Sequence, residues 1–136
     1  MAVTFNLDVV TPQKRVFSEE VTFATAPGED GYFGVMPGHS PFLTTLIPGA
    51  VQIDDGPDPR FIVVSQGYAE VLGDRVTLLV DSAVRKEDID AAAVKSDLNQ
   101  LIRDLDNVDD RDPEWALINN RKKYAEAQLL LIEPKK

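Results

Sequence analysis

RVTLLVDSAVRKEDIDAAAVKSDLNQLIRDL, Arg75 to Leu105, changes its periodicity partway along, and that change divides the chain. Val76, Leu78 and Val80 alternate with Thr77, Leu79 and Asp81, the period of a strand with one buried face. Beyond about Val84 the apolar positions become Ala91, Val94, Leu98, Leu101 and Leu105, spaced 3, 4, 3 and 4, which places them on one helix face. Asp88 and Asp90 stand at the start of that helix, where carboxylates oppose the positive end of the dipole. The boundary predicts a β domain over residues 1–84 and a helical appendage over 85–136.

Towards the N-terminus the period of two persists. Val3, Phe5, Leu7 and Val9 point one way, and Thr4, Asn6 and Asp8 the other. Val21-Thr22-Phe23 repeats the pattern, and Phe61 to Val64 reads as a strand buried more fully. Breakers recur at short intervals: Thr11-Pro12, Pro27-Gly28, Pro37-Gly38, Pro48-Gly49 and Asp54-Asp55-Gly56-Pro57. Gly73-Asp74 reads as a two-residue hairpin turn in which glycine supplies a positive φ. Many short strands with frequent turns predict a β-sandwich or barrel. Towards the C-terminus, the apolar-poor DNVDDRD at 106–112 reads as a connector. Asp112 is then placed to cap a second helix with Pro113 at its first position, and Pro134 to stop it. Trp115, Ile118, Lys122, Ala125, Leu129 and Ile132 form its seam, so the two helices make an antiparallel hairpin. The run Leu129 to Ile132 is apolar all round, more than one seam hides, so this helix must find a further packing surface.

Composition narrows the chemistry. A net charge of −9 opposes nucleic-acid binding through a general electrostatic footprint. No stretch approaches the roughly 18 apolar residues of a membrane span, and MAVTFNLDVV has no basic segment followed by an apolar run. There are no cysteines, so disulfides and thiolate metal sites are excluded. The charge is uneven: residues 115–136 carry Glu126 and Glu133 against Arg121, Lys122, Lys123, Lys135 and Lys136. A basic end on an acidic chain points to an acidic partner, or to a solvated helix face.

GYFGVMPGHSPFL, from Gly31 to Leu43, holds the single histidine. His39 and Ser40 are adjacent, but GHSPF is not G-x-S-x-G, and neighbours on an extended chain point to opposite faces. One histidine and scattered carboxylates give no metal-ligand spacing, and the acidic loop around Asp54 lacks the glutamate that closes a calcium loop. Gly28, Gly31 and Gly34 match neither a dinucleotide fingerprint nor a P-loop. Phe33, Val35, Phe42 and Leu43 are expected in the core, and a lone histidine reads as a structural hydrogen-bonder. Neither a metal nor a cofactor is expected. A free-standing binding module and a small hydrolase using Ser40 and His39 also fit these residues.

Two combined elements sharpen the reading. Gly31, Gly34, Pro37, Gly38, His39 and Pro41 form G-x-x-G-x-x-P-G-H-x-P, and Ser65, Gly67, Glu70 and Val71 form S-x-G-x-x-E-V. In their order along nearly the whole chain they resemble the epsilon subunit of bacterial and chloroplast F-type ATP synthase. The resemblance implies a β-sandwich followed by a helical hairpin, and a non-catalytic subunit of the rotating central stalk. The implied partners are the gamma subunit and the polar loops of the membrane c-ring, met through Glu29, Asp30, Tyr32 and His39. Many relatives carry an acid where this chain has Tyr32. It further implies a hairpin that extends to the catalytic alpha and beta subunits and inhibits hydrolysis, for which Arg121, Lys122 and Lys123 are the candidate contacts. Some relatives bind ATP through I/L-D-x-x-R-A; Ile89 and Asp90 keep its first two residues, but Ala93 and Val94 replace the arginine and alanine. The implied location is the cytoplasmic face of a bacterial inner membrane, or a thylakoid stromal face, held there by the complex and without insertion of this chain into the bilayer.

Overall fold

The computed structural model describes residues 3–133. The first region forms β1 (Phe5–Val10), β2 (Arg15–Val21), β3 (Ala24–Gly28), β4 (Gly31–Val35) and β5 (Phe42–Leu46). It continues through β6 (Gly49–Ile53), β7 (Arg60–Val64), β8 (Gly67–Leu72), β9 (Arg75–Val80) and β10 (Ala83–Arg85). These strands pair in the order β10-β7-β6-β3-β5-β8-β9-β1-β2, with β4 added on β3. All pairs are antiparallel except β1 with β9. The ribbon folds over itself at β3–β5, which share the single pair Gly28 and Leu46. That corner gives two packed layers, a sandwich with a barrel-like path.

Alternation fills the space between the layers. Phe5, Leu7, Val9, Val76 and Leu78 from one layer meet Ile53, Ile62 and Val64 from the other, all buried. Each such side chain contributes about 1.5–3 kcal/mol by leaving water. Val3, expected to extend the row, is exposed, because it precedes β1 and has no strand beside it. Phe42 and Leu43 also depart from expectation, at 38 % and 69 % exposed. Leu43 pairs with Glu70 on the outer side of its sheet, and Phe42 leans on Phe33 at the rim, ring centroids 5.3 Å apart. The open edges are tied by arginines. Arg85 on β10 donates to the Val16 carbonyl on β2 at 2.9 and 3.2 Å. Arg60 spans Glu19 and Asp55, and both guanidiniums lie over the Phe17 ring at 5.2 and 5.3 Å. Stitched edges offer little for stray strand pairing.

After β10 a single 3₁₀ turn, Lys86–Asp88, leads into α1 (Ala91–Asp106). Asp90 caps it, accepting from the Ala93 amide at 3.1 Å. In the connector, Asp109 accepts from the Arg111 guanidinium and amide, which holds its carboxyl down to about 2. Asp112 caps α2 (Pro113–Ile132) through the Glu114 amide, with Pro113 inside the first turn. Lys95 and Glu133 close the open end of the hairpin at 3.0 Å. Pro134, Lys135 and Lys136 lie outside the described residues.

The hairpin is folded down. α2 packs on β6 and β7 as well as on α1, burying Ile118, Ala125 and Gln128. Val63 makes this contact visible. Its neighbours Ile62 and Val64 belong to the inter-layer core, whereas Val63 points outward and is still fully buried. The continuous run FIVV is therefore covered on both faces, one by the opposite sheet and one by the helix.

Candidate functional site

The residues marked by sequence for partner contact fall in three places. Glu29 and Asp30 form the exposed tip of the β3–β4 hairpin, where Gly31 adopts φ +124°. The Glu29 amide donates to the Thr45 carbonyl at 2.9 Å, which fixes the tip against the end of β5. Tyr32 follows, 63 % exposed and paired with Pro27 in the β3–β4 register. Its hydroxyl accepts from the Ala50 amide at 3.3 Å, a donor freed where β6 diverges from β3. This crossing needs Gly49: a Cβ there would sit 2.8 Å from the Pro27 Cβ and 3.0 Å from the Tyr32 hydroxyl. The hydroxyl thus serves its own fold and keeps only its donor for another group.

His39 lies beyond the other end of β4. Four strand steps separate the pairs Gly28–Gly31 and Ala24–Val35, about 13 Å at the usual rise. Met36 to His39 make a turn closed by the His39 amide and the Met36 carbonyl at 3.2 Å. Proline at its second place and Gly38 at φ +81° in its third are the requirements of a type II turn. The imidazole Nδ1 lies 2.7 Å from the Ser40 carbonyl, so that nitrogen carries the proton and donates. It is committed to backbone rather than to the Ser40 hydroxyl, and no nucleophile–base pair forms. Phe42 stands 6.0 Å from the imidazole, centroid to centroid. The same turn presents Met36, 61 % exposed.

Arg121, Lys122 and Lys123 are consecutive on α2, so each turns about 100° from the last. Arg121, itself exposed, lines the rim of a groove between hairpin and sandwich with Ser82, Leu117 and Tyr124. Lys122 is half-buried, 4.0 Å from Glu126, and Lys123 is exposed. In the folded-down state the three make no single patch. Burial in this groove pushes the Tyr124 hydroxyl up to about 12. Ile89 is half-buried and Asp90 is engaged as the α1 cap, so neither is free to face a ligand without disturbing the helix start.

Sequence reasoning missed a fourth area. The outer faces of β5, β8 and β9 carry Leu43, Tyr68, Leu72 and Leu79, 69, 60, 54 and 51 % exposed. The register aligns Tyr68 with Leu79, Leu72 with Arg75 and Leu43 with Glu70. The only signal available was apolar residues at polar positions of the alternation, as at Leu79 between Leu78 and Val80. Among the described residues no group of His, Cys, Asp or Glu could hold a metal ion, and no helix is long and apolar enough to cross a membrane.

These features have counterparts in known proteins. Residues 4–86 match the model of the ATP synthase delta/epsilon chain β-sandwich domain. Over 133 residues the chain is 43 % identical to the ATP synthase epsilon chain of Magnetococcus marinus, covering 98 % of this chain and 97 % of that one. It is 53 % identical over 91 residues to the epsilon chain of Desulfosudis oleivorans, covering 66 % and 68 % of the two. In fold it is similar to a chain of the Euglena gracilis mitochondrial ATP synthase, in a structure comprising OSCP, F1 and c-ring. The TM-score is 0.78 at 20 % identity, over 96 % of this chain and 82 % of that one.

Proposed function

The chain belongs to the ATP synthase epsilon-chain family, and from that premise we propose that it is a central-stalk subunit that couples rotation of a proton-driven membrane ring to ATP synthesis and restrains ATP hydrolysis through its hairpin. The observation that carries this reading is the 43 % identity over an alignment that spans 98 % of the chain, sandwich and hairpin included. The chain itself is non-catalytic, a subunit of an enzyme.

Coupling requires a body that does not yield under torque, and the arginine-stitched, fully filled sandwich suits that requirement. In this reading gamma and the polar c-ring loops meet Glu29, Asp30, Tyr32 and the His39 loop. The subunit then lies at the cytoplasmic face of a bacterial inner membrane, held by the complex. Restraint of hydrolysis requires a movable hairpin. The hairpin is attached to the sandwich chiefly through α2, which has few buried residues, and this keeps undocking within reach.

Undocking would free Lys122 from its half-buried position and carry the exposed Arg121 and Lys123 away from the sandwich, supplying cations for acidic surface on the alpha and beta subunits. The test is ATP hydrolysis by the assembled complex carrying Arg121→Ala, Lys122→Ala and Lys123→Ala together. Hydrolysis should rise while ATP synthesis is kept; equal inhibition in the triple variant rules out the assigned contacts.

A further inference from the structure

The two sheets are finished differently on their outer sides. One is covered by α2, which buries Val63. The other stays bare, with Leu43, Tyr68, Leu72 and Leu79 more than half exposed. Beside this bare area, on the same side of the sheet, is Asp8. It faces outward from β1, between Thr77 of β9 and Ser18 of β2, one row from the pair Val10 and Leu79. Only 9 % of its side chain is exposed, an unusual depth for a carboxylate on a sheet surface.

Its hydrogen bonding is incomplete. The Asn6 amide group donates to Oδ2 at 3.4 Å. Oδ1 is buried and has no donor. The nearest cation, Arg15, stops 4.0 Å away, beyond hydrogen-bond range, and its side chain is 65 % exposed. A buried carboxylate oxygen without a donor is costly, and native structures rarely keep one without a reason. Here the orphan oxygen sits between Thr77 and Ser18, one row from Val10 and Leu79, where the uncovered apolar area begins.

We infer that Asp8 is the specificity-determining acceptor of this face: an arginine or lysine set in an otherwise apolar surface of the stalk partner donates to its Oδ1. The partner's identity rests on the central-stalk reading above and is taken as the gamma subunit. A cation is required because a neutral donor would leave the buried charge uncompensated. Arg15 shields the oxygen in the free chain and swings aside as the partner docks; its exposure and the 4.0 Å gap leave it free to do so. Val10 and Leu79, one row away, and the apolar area beyond them then exclude water from the new pair on that side.

The test is calorimetric titration of purified gamma subunit into the full chain, at low and at moderate salt, with the melting temperature of each variant recorded. Asp8→Asn keeps the shape and removes the charge. Its affinity for gamma should fall at least about tenfold with a weaker salt dependence, while the free chain melts no lower than the parent. Arg15→Gln removes the internal competitor and should bind gamma as tightly or more tightly. Unchanged affinity in Asp8→Asn, or weakened affinity in Arg15→Gln, overturns the assignment and leaves the central-stalk reading standing. Failure of the parent chain to bind gamma overturns both.

Discussion

Val63→Asp separates the stability of the sandwich from the docking of the hairpin. Val63 is fully buried yet lies outside the inter-layer core, beneath α2 on the outer side of β7. Removing its side chain from that contact forfeits about 1.5–3 kcal/mol. A carboxylate held there without a partner adds several kcal/mol more. The docked hairpin has a way out that a core residue lacks, because undocking returns the carboxylate to water. A bias of about 4 kcal/mol changes the docking equilibrium by nearly a thousandfold. Hydrogen exchange on the isolated chain should therefore show α1 and α2 losing protection while β1, β7 and β9 keep theirs. In the assembled complex the freed hairpin should inhibit hydrolysis more strongly than in the parent. If the sandwich strands lose protection together with the helices, Val63 is a core residue and the two parts are not separable. If α2 keeps its protection, the helix is not held by this contact.

Two further perturbations probe other parts of the molecule. Gly67→Ala places a Cβ 2.7 Å from the Val80 Cα and 2.9 Å from the Leu79 carbonyl carbon, backbone atoms in the middle of a sheet. It should cost about 1–3 kcal/mol and lower the melting temperature by several degrees, whereas Gly56→Ala, which meets nothing within 4 Å, should leave it unchanged; equal melting of the two variants contradicts the packing. Tyr124 should ionise at about 12 in an absorbance titration, a component lost in Tyr124→Phe. Its folded value lies above the unfolded value of 10.0, so the stability it contributes is complete below pH 10 and lost as pH rises through 12. Alkaline undocking of the hairpin in that window should disappear in the phenylalanine variant.

The sequence by itself determined what depends on neighbours along the chain. Alternation and turn residues specified the strands, including the Gly73 turn at φ +61°, because backbone sterics act within a few residues. The 3–4 spacing and the Asp112-Pro113 start specified the hairpin, because capping is settled inside one turn. Recurrent motifs across the chain revealed the family. What lay beyond it were quantities set by residues distant in sequence. Leu43 reads as core, and only its register with Glu70 turns it outward. FIVV reads as buried on both faces, but the helix that covers Val63 comes some fifty residues later. Arg121, Lys122 and Lys123 read as one basic cluster until the helix fans them apart, leaving Lys122 half-buried between two exposed neighbours. Asp8 reads as a polar outward residue, and its burial with one oxygen unmatched depends on strands brought beside it from elsewhere in the chain. Local sterics write the elements, and long-range packing decides which surfaces are left for a partner.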